Sequence, residues 1–320
     1  MQPIVDFADE LMLRERLARA FPEGRGRVPS VAVGFAQEGR AAFACTKSAS
    51  SALPAQCAQA TRGAPAAALA LHAGCLTKLF TAALAAQACA EGRVALDERL
   101  APALSLPRGP AFEGITLRHL LEHTHGLDDS AVAAVPLRKD GRIDAAALGR
   151  RLSEAPPLAE PGRLYSYSNA GAWLIAAWLE RTSGQTYGRL LHERILAPLR
   201  DTGARAEALD TRGGLCPATG GALKVSLRTV LRFLAAHSPR DVLHGDRSGS
   251  RRVTPLPGWN ALERGVYLGW KYHGEGWLGH QSVWPEISAL VRVQAQAGLA
   301  LVVACRSVPA AIAAAKLFGT

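Results

Sequence analysis

Segments with a strand pattern lie at both ends of this chain, and segments with a helical pattern lie between them. Near the amino end, two strand-like runs flank a turn at Glu38 and Gly39. Short β-like runs return over residues 265–306 and are followed by an alanine-rich helix. Residues 76–199 carry helical patterns that end at glycine, including TLRHLLEHTHG, which ends at Gly126. This order predicts an antiparallel sheet that is built from both ends of the chain and flanked by helices.

The same pattern predicts how the chain is organised. An amphipathic helix is expected over residues 4–21, and an irregular surface loop over residues 46–65. We expect an α/β (α+β) sheet domain formed by residues 1–75 and 215–320, with a mainly helical lobe formed by residues 76–214. The active site is expected at the junction of the two parts.

Charge and hydropathy limit the partners. The formal net charge of +10 favours anionic partners, and the densest basic segment is residues 238–255. Because no zinc-finger, RNP-like or helix-turn-helix signature accompanies the arginines, we expect no nucleic-acid partner. Phosphopantetheine arms, CoA and acidic carrier proteins remain candidates, and the oligomeric state is left open. No apolar run is long enough to span a membrane, and the first residues mix acids with bases, so we expect a cytoplasmic protein without membrane attachment.

Six cysteines are scattered through the chain without CxxC spacing. This arrangement suits neither a disulfide framework nor a zinc ribbon, and predicts reduced thiols. One of them, Cys75, precedes Lys78 by three residues at the start of an apolar helical run, HAGCLTKLFTAALAAQ. Positions three apart share a helix face, and both the helix dipole and a nearby ammonium favour a thiolate. Read alone, CxxK is a weak signal and favours a small buried thiol that packs against the sheet.

Further segments follow Cys75 in a recognisable series. They read, in order, GCLTKLFTAALAAQACAEGRVALDERL, ITLRHLLEHTHGLDD, EPGRLYSYSNAGAWLIAAWLERTSG, ATGGALKVSLRTVLRFL and YLGWKYHGEGWLGHQSVWPEIS. Together they resemble the motifs of the serine β-lactamase and penicillin-binding protein family, especially its class C and esterase-like branch, over residues 28–308. The resemblance implies a β-lactamase/transpeptidase-like fold.

The resemblance also implies roles for four residues. Cys75 takes the place of the nucleophilic serine of Ser-x-x-Lys, and Lys78 that of the general base. Tyr167 and Asn169 match the second motif, Tyr-x-Asn, in which the tyrosine shuttles a proton and the asparagine orients substrate. Seen from the residues alone, Tyr167 also fits a turn tyrosine, and Asn169 an N-cap that opens the following helix.

The third motif departs from the family pattern. Its usual Lys/His-Thr-Gly triplet reads His280, Gln281, Ser282, so a side chain replaces the glycine that lets substrate approach the strand. Glu286 stands where relatives often have glycine, and a narrowed cleft is expected. His280 and Ser282 are expected to contact substrate, with His280 as a positive or hydrogen-donating group. The backbone N–H groups of Cys75 and Val283 are expected to form an oxyanion hole.

No metal and no cofactor is expected. His119 and His123 stand four apart in a helical pattern and His125 follows, but no HExxH arrangement accompanies them. The expected activity is therefore acyl transfer or hydrolysis through a thioester on Cys75, acting on an intracellular acyl thioester, ester or amide that is carried by CoA or a carrier protein. The alternative is a non-catalytic binding or scaffold protein that kept the fold.

Overall fold

The computed structural model describes residues 10–22, 31–37, 40–46, 67, 69–129, 138–140, 142–199, 223–238, 254–255, 265–274, 276–283, 288–305, 308–316 and 318. The α-helices are α1 (Glu10–Ala20), α2 (Thr77–Ala90), α3 (Leu100–Leu104), α4 (Leu117–Leu121), α5 (Ala145–Ser153), α6 (Asn169–Ser183), α7 (Tyr187–Leu191), α8 (Leu227–His237) and α9 (Val308–Lys316). The strands are β1 (Val31–Gln37), β2 (Arg40–Cys45), β3 (Ala70–His72), β4 (Leu164–Tyr165), β5 (Lys224–Ser226), β6 (Thr254–Pro255), β7 (Gly265–Tyr267), β8 (Trp270–Gly274), β9 (Trp277–Ser282), β10 (Ser288–Gln294) and β11 (Leu299–Cys305).

One seven-stranded sheet unites the two ends of the chain. Its strand order is β2-β1-β11-β10-β9-β8-β7, and every neighbouring pair is antiparallel. The strand nearest the amino end, β1, pairs along its whole length with β11, from Val31 opposite Cys305 to Gln37 opposite Leu299. The predicted antiparallel sheet and its flanking helices are therefore confirmed. The strand β11 is buried throughout, because the sheet is covered on both faces.

Helices cover both faces of the sheet. On one face, α1 packs against β2 and α9 against β10 and β11, with Leu13 and Leu17 fully buried and Phe35 stacked on Phe318. On the other face, α8 packs against β1 and β11. Phe233 of α8 stacks on Phe80 of α2, with ring centroids 3.9 Å apart. Stacked aromatic pairs contribute about 1 kcal/mol beyond burial, so this pair helps to fix α2 relative to the sheet.

Helix α6 is the centre of the helical part. It is buried over most of its length, and α2, α3, α4 and α7 all pack against it. Within it, the carboxylate of Glu180 accepts hydrogen bonds from the backbone N–H groups of Ile143 and Tyr187, at 2.9 and 2.8 Å. These bonds tie the segments before α5 and at the start of α7 to α6. Burial nevertheless raises the pKa of Glu180 above its usual value.

Two predicted helices have different bounds in the structure. The helix predicted to run to Gly126 ends at Leu121, because the chain turns at His123, whose φ is 56°. The amino-terminal helix is confirmed from Glu10 to Ala20. Residues 4–9, nearly all of the expected loop over residues 46–65, and most of the basic segment lie outside the described residues. The division into two domains stays a prediction.

Candidate active site

Cys75 lies where strand gives way to helix. It follows β3 in a single turn of 3-10 helix, Gly74–Leu76, that continues directly into α2. Gly74 has a φ of 51°, a left-handed conformation that glycine adopts without the penalty of a side chain. Strand β9 runs beside this turn. The thiol is therefore half-buried between the sheet and the helical part, at the amino end of a fourteen-residue helix.

Lys78 and Asn169 are brought together as the motifs predict. Lys78 is 5% exposed, and its Nζ donates a hydrogen bond of 2.8 Å to Asn169 Oδ1. Asn169 is not the N-cap of α6, however. Ser168 caps the helix by accepting the N–H of Gly171 at 3.0 Å, which leaves the Asn169 side chain available to Lys78. A buried ammonium requires such a partner, because its desolvation is costly.

His123 holds the segment that carries Tyr167. Its carbonyl oxygen accepts the N–H of Ser166 at 2.8 Å, and its Nδ1 accepts the N–H of Ser168 at 3.1 Å. Its ring also lies against the Tyr167 ring, with centroids 4.8 Å apart. Burial first, and then the charge of Lys78, lowers the pKa of His123 well below its usual value. A neutral His123 whose Nδ1 accepts a hydrogen bond carries its proton on Nε2.

Tyr167 is half-buried, and its hydroxyl oxygen is shielded from solvent. Burial is the main cause that raises the pKa of its phenol well above the usual value, followed by the charge of Cys75. The phenol is therefore protonated at neutral pH. Lys78 Nζ lies 4.6 Å from the centroid of the same ring. Cys75, Lys78, Tyr167 and Asn169 thus form one cluster.

The third-motif residues lie on β9 and just beyond it. His280 is fully buried, and burial, followed by the charges of Lys271 and Lys78, lowers its pKa well below the usual value. It is therefore neutral, and the expectation of a positive His280 is wrong. Its Nδ1 lies 2.9 Å from the carbonyl oxygen of Gln281, which only accepts, so Nδ1 carries the proton and Nε2 is an acceptor.

Ser282 contacts the nucleophile segment directly. Its Oγ accepts the backbone N–H of Cys75 at 3.2 Å, and its side chain is buried. Val283 follows the last residue of β9 and is 62% exposed. Glu286, which was expected to narrow the cleft, lies outside the described residues. The two predicted oxyanion donors therefore belong to adjacent backbone segments, and one of them already has a partner.

Two further residues of the site, Lys271 and Asp129, were not predicted from the sequence. Lys271 of β8 is 3% exposed, and its Nζ lies 5.3 Å from the centroid of the Tyr167 ring. Its only sequence signal is a lysine between two aromatic residues in a strand. Asp129 accepts hydrogen bonds from Ser168 Oγ at 2.6 Å and from the N–H groups of Asn169 and Ala170. Asp129 ends the motif segment ITLRHLLEHTHGLDD, but no role was predicted for it, because its partners lie about forty residues away in the chain.

The other candidate ligands and thiols are not part of this cluster. His119 accepts the N–H of Thr116 at the start of α4, whereas His123 lies beyond the end of that helix, so they do not share a helical face. Among the described residues, no three histidine, cysteine or acidic side chains converge as metal ligands. Cys45, Cys89 and Cys305 form no disulfide, and burial, together with the charge of Glu98, raises the pKa of Cys89. Cys57 and Cys216 lie outside the described residues.

A sequence profile of the Beta-lactamase family matches residues 14–316. The chain belongs to the Beta-lactamase family. As in the fold predicted from its motifs, the candidate site of this family member lies between the antiparallel sheet and the helices. No helix in the described part of the chain has the length and apolar character needed to cross a membrane.

Individual relatives of this Beta-lactamase family member match only part of the chain or share a low sequence identity with it. Over 147 residues it is 36% identical to a monacolin J acid methylbutanoyltransferase of Aspergillus terreus, covering 38% of this chain and 34% of that protein. Over 114 residues it is 31% identical to a probable fimbrial assembly protein FimD of Dichelobacter nodosus, covering 35% and 29%. Each match thus spans about a third of the curated relative. A solved structure of SurE with D-Leu superposes with a TM-score of 0.66 at 23% identity, over 97% of this chain and 74% of that one.

Proposed function

We propose that this protein is an acyl-transfer enzyme that forms a thioester on Cys75. The observation that carries the proposal is the cluster in which Lys78 is hydrogen-bonded to Asn169 and lies against the Tyr167 ring, one helical turn from Cys75. A nucleophile, a proton donor and an ammonium within one cluster are what acyl transfer requires. The similarity to a methylbutanoyltransferase supports the same class of reaction.

Cys75 attacks as a thiolate. Its position at the amino end of α2 and its neighbour Lys78 both favour the negative form. A serine at this position requires a base to remove its proton, whereas the cysteine is charged before substrate arrives.

Tyr167 carries the proton through both steps. In the first, the sulfur of Cys75 attacks the acyl carbonyl, the bond to the leaving group breaks, and the phenol gives its proton to that group. In the second, an alcohol, amine or water attacks the acyl-cysteine, its proton passes to the phenolate, and Cys75 departs as thiolate. Each proton and each bond is therefore restored at the end of the cycle.

Acylation itself prepares the second step. The charge of Cys75 is one cause of the raised pKa of Tyr167, and that charge disappears when the sulfur becomes a thioester. The ammonium groups of Lys78 and Lys271, 4.6 and 5.3 Å from the ring centroid, favour the transient phenolate. Asn169 orients substrate while its Oδ1 accepts the hydrogen bond from Lys78 Nζ. The neutral His280 offers substrate a hydrogen-bond acceptor at Nε2.

The acyl donor in this proposal is an intracellular thioester or activated ester on an anionic carrier. Exchange between thioesters is nearly level in free energy, so a cysteine accepts an acyl group from CoA or a carrier arm without loss of activation. The net charge of +10 attracts phosphate or an acidic protein surface.

Intact-mass spectrometry tests the proposal. The protein is incubated with a panel of acyl-CoA thioesters, p-nitrophenyl esters and a β-lactam, and an acyl adduct is expected on Cys75. The adduct should persist in Cys89→Ala and vanish in Cys75→Ala. With acyl-CoA, the rate of acylation should fall as salt screens the attraction. A rate that is independent of salt removes the anionic carrier but keeps the nucleophile.

One observation favours a second candidate, a binding protein that kept the fold without catalysis. The hydroxyl of Ser282 already accepts the N–H of Cys75, which acyl transfer needs as an oxyanion donor. The absence of any covalent adduct across the whole panel would decide for this candidate.

A further inference from the structure

Ser282 is placed to control the nucleophile. It is the last residue of β9, is 1% exposed, and pairs with Ala289 of β10. Its Oγ lies 3.2 Å from the backbone nitrogen of Cys75, 207 residues away in the sequence. The end of the strand therefore supplies a hydroxyl to the amide of the candidate nucleophile.

During acylation, the substrate also needs the backbone N–H of Cys75 as a hydrogen-bond donor. When the Cys75 sulfur attacks an acyl carbon, the carbonyl oxygen gains negative charge and needs N–H donors within hydrogen-bond distance. One N–H has one proton, so a bond to Ser282 Oγ and a bond to an acyl oxygen compete. Glycine at this strand position has no group with which to compete.

We propose that Ser282 is a specificity-determining residue whose hydroxyl occupies the oxyanion donor of Cys75 until a well-bound acyl substrate displaces it. The inference rests on the proposed acyl transfer. The displacement requires only that the serine side chain rotate to another staggered position. A substrate with few contacts does not drive that rotation, so the residue selects against small, weakly bound acyl groups.

The expected size of the effect follows from one hydrogen bond. Loss of a typical net hydrogen bond changes a rate by up to about tenfold when it is broken on the way to the transition state. Replacing Ser282 by alanine or glycine removes the hydroxyl, so no hydrogen bond has to be broken on the way to the transition state. Small acyl donors should therefore gain up to about tenfold in the rate of acylation.

The experiment compares two reactions at the same sulfur. p-Nitrophenyl acetate acylates Cys75 through an oxyanion, whereas iodoacetamide alkylates it at a saturated carbon without one. Ser282→Ala and Ser282→Gly should raise the rate of acylation by up to about tenfold and leave the rate of alkylation unchanged. Ser288→Ala, which removes another buried serine of the sheet, should change neither rate. Thermal unfolding of each variant verifies its fold, and the two Ser282 substitutions serve as independent tests.

The outcomes separate this inference from the proposed function. If the wild type is acylated and neither Ser282 variant is faster, the inference is wrong and the nucleophile stands. Slower acylation of the variants would overturn it too, since the hydroxyl would then be a donor that helps the oxyanion. Acylation of the variants without that of the wild type supports it strongly. If no form is acylated although Cys75 is alkylated, both proposals fail.

Discussion

At the scale of single residues, the charged groups of the site are arranged around Tyr167. Two buried lysines approach its ring, a neutral histidine packs against it, and the charge of Cys75 acts on its hydroxyl. Such a phenol keeps its proton in the resting site but can lose it when the sulfur is acylated. The ring supplies packing, and the hydroxyl supplies the chemistry.

Tyr167→Phe separates these two contributions. The variant should fold with nearly unchanged stability, because the ring remains, and should turn over acyl substrates about 10²-fold more slowly, because a positioned proton donor is lost. Steady-state kinetics and thermal unfolding measure the two effects. Tyr187→Phe is the matched control, since it removes a hydroxyl that bonds to Thr81 Oγ1 at 2.8 Å in the helical core. It should cost about 1 kcal/mol of stability and no rate. Equal rates in wild type and Tyr167→Phe would remove Tyr167 from the mechanism.

The residues of this site differ in how far sequence could predict them. Cys75 and Lys78 share one helical turn, and Tyr167 stands two residues from Asn169, so short motifs predict their proximity. Lys271 comes from a separate strand, and only the pairing of β8 with β9 places it beside the site. The neutrality of His280 depends on burial and on neighbouring lysines, which no local pattern records.

At the scale of elements, the amino end of α6 positions Asn169. The carboxylate of Asp129 accepts the Ser168 hydroxyl and two backbone N–H groups there, as an anion at a helix amino end should. The helix itself was predictable from its apolar pattern and from Gly184, which ends it in the left-handed conformation. The end of α4 was not, because His123 bonds across the fold to Ser166 and Ser168.

Asp129→Ala tests the connection between this helix end and catalysis. Loss of the cap should lower the free energy of unfolding by about 1–2 kcal/mol, and the displaced Asn169 should slow acylation of Cys75 by about tenfold. The control is Asp144→Ala, which removes the carboxylate that accepts the N–H of Ala147 at the start of α5. Its loss of stability should be similar and its acylation rate normal. Urea unfolding and burst kinetics provide the two measurements. Normal acylation in Asp129→Ala would show that the cap is structural only.

At the scale of the whole molecule, the sheet joins the two ends of the chain and the helices between them complete the site. This layout follows from the order of patterns in the sequence, because antiparallel strands pair wherever their apolar faces can be covered. The sheet and the helical part meet through buried polar groups. Two of these are His123 and His280, which packing holds neutral, and His125 is a third neutral histidine, buried within the helical part.

The lowered pKa values of these histidines predict that the free energy of unfolding depends on pH. Burial lowers the pKa of His125 to about 3, and the pKa values of His123 and His280 also lie well below the usual value. Below about pH 6.5 the unfolded chain binds protons at these positions and the folded chain does not, so stability falls as the pH falls. Each histidine should contribute about 1.4 kcal/mol per pH unit until its folded pKa is reached.

His125→Asn isolates one of them. The Asn carbonyl can replace Nδ1 of His125 as acceptor of the Leu127 N–H, now 3.0 Å from it, but it does not titrate. Urea unfolding between pH 7 and pH 4.5 should show the free energy of unfolding declining less steeply in this variant, by about one proton, than in the wild type. His192→Asn, which changes a histidine whose side chain is exposed, should keep the wild-type slope. Parallel slopes for His125→Asn and wild type would mean that His125 is protonated within the folded protein. These buried histidines limit the stability of the fold at acid pH, because the packing that excludes water from their side chains also disfavours their charged forms.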